Sequence, residues 1–131
     1  KQLGGQKYSE DIVVPMTAVP GVIESLENMQ HPSGIKVLGY GHLGDGNIHV
    51  NILKMNASDT DWVTFAPEVI DSVMKLAISH GGSISGEHGI GLTKKHYMPL
   101  MFLTHDLKLM KAIKSSVDPN NILNIGKVFP E

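Results

Sequence analysis

The chain has 131 residues, enough for one domain with a hydrophobic core, and its formal net charge is −2 at pH 7. This charge and a single pair of adjacent lysines, Lys94-Lys95, argue against a nucleic-acid-binding surface. The absence of cysteine excludes disulfides and thiol chemistry, and the absence of arginine removes the usual bidentate partner of a carboxylate substrate. No apolar run is long enough to span a bilayer and no signal peptide is visible, so we expect a cytoplasmic location, with a peripheral membrane or mitochondrial one left open.

The first half of the chain predicts a strand, a helix and a hairpin. Residues 1–9 have the composition of a flexible lead-in, and the apolar run within 11–16 is predicted as a strand. Apolar residues at helical spacing follow Pro20, which fits the first turn of a helix. Residues 35–43 and 48–55 are predicted as the two strands of a hairpin, and a polar connection follows them.

The second half predicts a helix, a short strand, a long loop and another helix. Pro67 is predicted in the first turn of the first of these helices, and Gly81 at its C-cap. Residues 83–85 form a candidate short strand. Thr104 with Asp106 is typical of the start of the last helix.

The first six predicted elements match the split βαβ arrangement. We therefore expect an α+β fold: a ferredoxin-like antiparallel sheet with helices packed on one face, extended by a C-terminal helix. Residues 1–131 are expected to form a single domain. Because the chain begins with Lys1 instead of a methionine, we expect it to be a piece of a longer protein.

The turn Asp45-Gly46 is the strongest local signal in the chain, because such a pair between apolar strands favours a two-residue hairpin turn. With these two residues at the centre of the turn, His42 lies directly opposite His49, with Cβ atoms roughly 4.5–5.5 Å apart. That spacing would allow two imidazoles to share a metal ion. The hairpin alone favours the alternative, in which the two histidines only face solvent.

A second segment, residues 81–91, is dense in glycine and encloses Glu87 and His88. Glycines permit positive φ angles and close approach of the backbone to a ligand. A carboxylate and an imidazole are common ligands of zinc and common carriers of protons. Two histidines and one glutamate would suit a divalent metal with an open position for a substrate.

Residues 41–49 and 82–91 closely resemble motifs of the C-terminal domain of FAD-linked 2-hydroxyacid oxidases and dehydrogenases. This group of the vanillyl-alcohol oxidase superfamily includes glycolate oxidase, D-lactate dehydrogenase and D-2-hydroxyglutarate dehydrogenase. The tail over 122–127 is similar to the family's terminal motif, with Ile125 where a proline is usual. The resemblance covers nearly the whole chain.

The resemblance implies that the chain is the substrate- and metal-binding C-terminal part of a flavin enzyme that oxidises a 2-hydroxy acid to a 2-oxo acid. The N-terminal FAD domain is absent from this chain and would belong to the same full-length protein. A divalent metal, with zinc as the expected ion, and an electron acceptor of unknown identity are also implied, and a homodimer is left open. The implied roles are metal ligation by His42, His49 and Glu87, proton abstraction by His88, substrate binding by Asn51 and Lys94, and cofactor binding by Asn124 and Lys127 in a tail that returns toward the flavin domain.

Other interpretations of the same residues stay open. The chain could be a metal-binding α+β module without chemistry of its own, or a metal-dependent hydrolase in which Glu87 or His88 activates water. Lys94 could equally be an ordinary solvated lysine, and Tyr40 could equally pack in the core. Because no stretch resembles a dinucleotide cradle, we expect this fragment alone to be colourless and inactive.

Overall fold

The computed structural model describes residues 5–31, 34–42 and 44–130. It divides into two compact units, Lys1–Glu87 and His88–Glu131. Strands and helices are both present, and the strands are antiparallel, so the expected α+β class is confirmed. Among the described residues, no helix is both long and apolar enough to cross a lipid bilayer.

The first unit is built on a three-stranded antiparallel sheet with the strand order β1-β3-β2. Two helices, α1 and α2, join and follow the strands. The bounds of these elements are Gln6–Val13 for β1, Val19–Glu27 for α1, Ile35–His42 for β2, Asn47–Lys54 for β3 and Asp59–Ser79 for α2.

Both helices pack on one face of the sheet, as expected. The ring of Tyr8 on β1 stacks on that of Trp62 on α2, with centroids 5.3 Å apart. Gly39 on β2 leaves room for α1, since a Cβ atom there would lie 3.0 Å from Leu26 Cδ1. The strand residues on this face include the fully buried Val50 and Ile52. The opposite face therefore carries the remaining side chains of the strands, most of them polar.

The expected fourth strand is reduced to one isolated bridge. Ser83 pairs with Val13 at the edge of β1, with N–O distances of 2.7 and 3.1 Å. The Ser83 hydroxyl donates to the carbonyl of Ser85 and accepts from its N–H. This local turn competes with the backbone ladder, which explains why the strand does not continue.

Two predicted boundaries are wrong. The sheet begins at Gln6, inside the predicted flexible lead-in, because residues 6–13 pair along the whole of β3 despite their polar composition. Pro67 lies in the interior of α2 and not in its first turn, because Ser58 caps the helix by accepting a hydrogen bond from the N–H of Asp61. Leu43, predicted at the end of the first hairpin strand, lies outside the described residues.

The second unit contains two short segments and one longer helix. A turn of 3-10 helix, Lys95–Tyr97, leads into α3, Met98–Met101, and α4 covers Thr104–Val117 as predicted. The carboxylate of Asp106 accepts a hydrogen bond from the N–H of Leu103, which stabilises the start of α4. Asp118 ends the helix.

Asp118 organises the chain that follows α4. Asp118 is 5% exposed, and its two carboxylate oxygens accept from the N–H groups of Ile122 and Leu123, both at 3.0 Å. The same carboxylate pairs with Lys114. The hydrogen bond from Lys114 lowers the pKa of Asp118 below its ordinary value, helped by the two backbone N–H groups and opposed by burial.

We expect Asp118→Asn to reduce the free energy of unfolding at pH 7 and to flatten its decline in acid. A carboxyl group whose pKa is lowered by folding stabilises the protein above the unfolded pKa of about 3.9, and this stabilisation is lost as the pH falls through the lowered value. Urea unfolding between neutral and acidic pH measures the effect. The exposed Glu68, changed to Gln, is the control; an acid profile of Asp118→Asn identical to that of the unmodified protein would contradict the expectation.

Candidate functional site

The hairpin carries both candidate histidines, but in a different register from the predicted one. Tyr40 lies opposite His49, and His42 lies opposite Asn47. The expectation that His42 lies directly opposite His49 is therefore wrong. The strands stop at His42 and resume at Asn47, so the connection is longer than the two residues of the predicted turn.

The chemistry of the turn explains the register. The carboxylate of Asp45 accepts a hydrogen bond from the N–H of Asn47 at 3.0 Å, so the side chain of Asp45 takes the place of a backbone acceptor. Gly46 has a φ of +74°, and its carbonyl accepts from the N–H of Val14 at the end of β1. A Cβ atom on Gly46 would lie 2.0 Å from the Val14 carbonyl oxygen, so this position requires glycine.

The shift of register keeps His42 and His49 on the same face of the sheet. Side chains alternate with a period of two, and the pairing has moved by two residues. The two imidazole rings are diagonal neighbours, with centroids 5.8 Å apart and an angle of 88° between their planes. The predicted condition for a shared metal ion, that both rings lie on one face, therefore holds.

Glu87 reaches the same group. Its Oε1 atom lies 3.3 Å from Nε2 of His49, whose side chain is 18% exposed, against 53% for Glu87. His49 therefore has two of the other candidate ligands as neighbours in the first unit: the ring of His42 and the carboxylate of Glu87. Two imidazole nitrogens and one carboxylate form a donor set that suits zinc or a similar divalent ion.

Two asparagines extend this polar face along β3. Asn51 donates to the Tyr40 hydroxyl at 3.1 Å and accepts from the Ser9 hydroxyl at 2.8 Å, so both the nitrogen and the oxygen of its side-chain amide are hydrogen-bonded. Tyr40 is 55% exposed, which argues against the alternative that it packs in the core.

Sequence reasoning missed Asn47. Its side-chain oxygen is buried and has no hydrogen-bond partner among the described residues. Such an unsatisfied acceptor fits a site that binds a further hydrogen-bond donor, such as a water molecule bound to a metal ion. The pattern Asn47, His49, Asn51 at every second residue of one strand was the signal that could have identified it.

The remaining candidates belong to the second unit. His88 is its first residue and is exposed. Lys94 is only 3% exposed, which contradicts the alternative of an ordinary solvated lysine. In the tail, the ammonium group of Lys127 donates to the side-chain oxygen of Asn124 at 2.9 Å, and both residues are exposed.

The chain is similar to known proteins along nearly all its length. Residues 1–128 match the family model described as FAD linked oxidases, C-terminal domain. The chain is 37% identical over 129 residues to a D-2-hydroxyglutarate dehydrogenase of Stutzerimonas stutzeri, which covers 93% of the chain and 27% of the relative. It is 39% identical over 127 residues to a probable mitochondrial D-2-hydroxyglutarate dehydrogenase of Oryza sativa subsp. japonica, covering 97% of the chain and 22% of the relative.

A third relative carries another name. The glycolate oxidase subunit GlcD of Escherichia coli K12 is 36% identical over 123 residues, covering 94% of the chain and 24% of the relative. The chain therefore spans about a quarter of the length of the curated relatives it matches. The match to the family model covers far more than half of the chain, and the chain belongs to the family of FAD linked oxidases, C-terminal domain.

Proposed function

We propose that this domain binds a divalent ion and a substrate for a flavin-dependent enzyme that oxidises a 2-hydroxy acid to a 2-oxo acid. The observation that carries the proposal is the contact of Glu87 with His49 on the polar face of the sheet, where the ring of His42 neighbours that of His49. The relatives support the reaction class, because 2-hydroxyglutarate and glycolate, which their names contain, are both 2-hydroxy acids. They also support FAD as the cofactor, held mainly by the part of the protein outside this chain.

The three ligands and their neighbours suggest how the substrate is held. A divalent ion bound to His42, His49 and Glu87 would supply Lewis-acid chemistry to the hydroxyl and carboxylate oxygens of the substrate. The amide nitrogen of Asn51 donates one N–H to the Tyr40 hydroxyl, and its second N–H can donate to a substrate oxygen. Lys94 is proposed as a cationic partner of the substrate carboxylate.

Proton transfer falls to His88 in this proposal. His88 follows Glu87 directly in the chain, and one of its ring nitrogens would accept the proton of the substrate hydroxyl. A bound flavin would supply the two-electron acceptor for the hydride of substrate C2. Asn124 and Lys127 are proposed to contact the flavin domain from the tail. The two alternatives, a metal-binding module without chemistry and a metal-dependent hydrolase, have no specific observation in their favour.

The experiment is an oxidation assay on the full-length protein. D-2-hydroxyglutarate, D-lactate and glycolate are supplied in turn with an artificial electron acceptor, before and after treatment with a chelator. We expect at least one of the acids to be oxidised to its 2-oxo acid, the activity to disappear on chelation, and zinc or another divalent ion to restore it. A flavin-loaded protein that oxidises none of the three acids, or whose activity is unchanged by the chelator, would contradict the proposal.

A further inference from the structure

A fully buried carboxylate lies on the polar face of the sheet, beside the proposed metal ligands. Asp11 on β1 is 0% exposed and lies directly opposite His49 on β3. Residues that oppose each other in an antiparallel pair point to the same face. A buried carboxylate requires hydrogen bonds or charge partners, because removing a charge from water without them is very costly.

The segment that carries Glu87 supplies hydrogen-bond partners of Asp11. Its Oδ2 atom accepts from the backbone N–H groups of Gly86 and Glu87, both at 2.6 Å. The hydroxyl of Ser85 lies 3.3 Å from each oxygen of the carboxylate. Hydrogen bonds from backbone N–H groups to an ionised carboxylate are short and strong, so this segment is firmly held.

The carboxylate replaces the backbone ladder that ends at Ser83. Since Ser83 and Val13 form a hydrogen-bonded pair, the next hydrogen-bonded pair in the same antiparallel register would be Asp11 with Ser85. The chain turns away from β1 at that point, and the carboxylate of Asp11 accepts hydrogen bonds from the N–H groups of Gly86 and Glu87. Asp11 thereby holds the backbone of Gly86 and Glu87 beside β1.

Gly86 fixes the other side of this turn. A Cβ atom on Gly86 would lie 2.5 Å from the side-chain oxygen of Asn47 and 2.8 Å from Val13 Cγ2. The backbone of the turn is thus pressed against β1 and β3 while Asp11 binds its N–H groups. The side chain of Glu87 leaves from this fixed backbone and ends 3.3 Å from His49.

We propose that Asp11 is a positioning residue of the metal site: its buried carboxylate fixes the backbone of Glu87 so that the Glu87 side chain meets His49 before an ion binds. The metal part of this inference rests on the proposed function, whereas the hydrogen bonds to Gly86 and Glu87 do not. Loss of a carboxylate that supports a ligand typically lowers metal affinity by about 10–100-fold.

The test measures two quantities on the full-length protein: the dissociation constant for Co²⁺, used as the probe ion, and the hydrogen-exchange rates of the Gly86 and Glu87 amides without metal. Asp11→Asn keeps an acceptor oxygen but loses the charge, and Asp11→Ala loses both. We expect Co²⁺ binding to weaken about 10–100-fold in the Asn variant and further in the Ala variant. Both amides should exchange faster than in the unmodified protein.

Two controls separate positioning from a merely structural role. Glu10→Gln removes a carboxylate from the next residue of β1, whose side chain points to the opposite face, and should leave both quantities unchanged. Trp62→Phe weakens packing on the helix-covered face and should lower the melting temperature without affecting Co²⁺ affinity. If Asp11→Ala does not fold, Asp11→Asn decides alone.

The outcomes distinguish this inference from the proposed function. Unmodified Co²⁺ affinity in Asp11→Asn, or amides that exchange at the unmodified rate, would overturn the positioning role even though the unmodified protein binds the ion. Absence of Co²⁺ binding in the unmodified protein would overturn the metal site and with it the role of Asp11 there. Weaker binding together with faster exchange, in a variant that keeps its fold, supports the inference.

Discussion

His49→Ala is expected to remove the metal ion and the activity together, and Glu87→Gln to do nearly the same. His49 is the central member of the site, because its ring faces His42 at 5.8 Å between centroids and its Nε2 lies 3.3 Å from Glu87 Oε1. Without His49, the site loses the one ligand that neighbours both His42 and Glu87. Glu87→Gln keeps the shape of the side chain but loses the charge that a divalent ion requires.

Metal content per chain, measured by elemental analysis after dialysis, and turnover in the same preparation test this expectation. His42→Ala should also lose both, since two ligands bind a divalent ion far more weakly than three. His105→Ala is the matched control, because the side chain of His105 is 76% exposed and forms an ion pair with the neighbouring Asp106. A His49→Ala protein that keeps a full complement of metal would show that the ion is bound elsewhere.

The hairpin shows which level of structure the sequence could predict. Its two strands and the shared face of His42 and His49 follow from alternation, which has a period of two. The register does not, because it depends on whether the side chain of Asp45 or a backbone carbonyl accepts the N–H of Asn47. Because the register differs from the predicted one by two residues, His42 and His49 still share a face, and the predicted shared face holds although the predicted pairing is wrong.

Long-range hydrogen bonds were beyond the sequence patterns. In the sequence, Asp11 is the polar residue that begins a short apolar strand. In the structure, its carboxylate accepts hydrogen bonds from the backbone of Gly86 and Glu87, which are distant in the sequence. The polar residues that precede it gave no strand signal, and only pairing with β3 makes them a strand. Burial of Lys94 likewise has no local sequence signal. Tertiary structure decides all three.

His88→Gln is expected to lower kcat strongly while leaving the metal content nearly unchanged. If His88 accepts the proton of the substrate hydroxyl, its loss removes general-base catalysis, which typically contributes about 10²–10⁴-fold. Glutamine keeps much of the size and hydrogen-bonding capacity of the side chain but does not accept a proton near neutral pH. KM should change less than kcat, because the metal ligands and Asn51 are retained.

Steady-state kinetics of the full-length protein and its metal content give the main comparison, and chemical rescue gives an independent one. His88→Ala leaves space for added imidazole, which should restore part of the turnover if a missing base is the cause. His96→Gln, an exposed histidine of the same unit, is the control and should keep its activity.

The two classes of variant separate the roles of two residues that are neighbours in the chain. Glu87 meets His49 inside the first unit, so its loss should act through the metal ion. His88 is assigned to the substrate, so its loss should act on kcat at full metal occupancy. Equal loss of metal in His88→Gln would make His88 a ligand instead of a base, and full activity would remove it from the mechanism. Low kcat at full occupancy, with rescue by imidazole in His88→Ala, is the combination that only a base predicts.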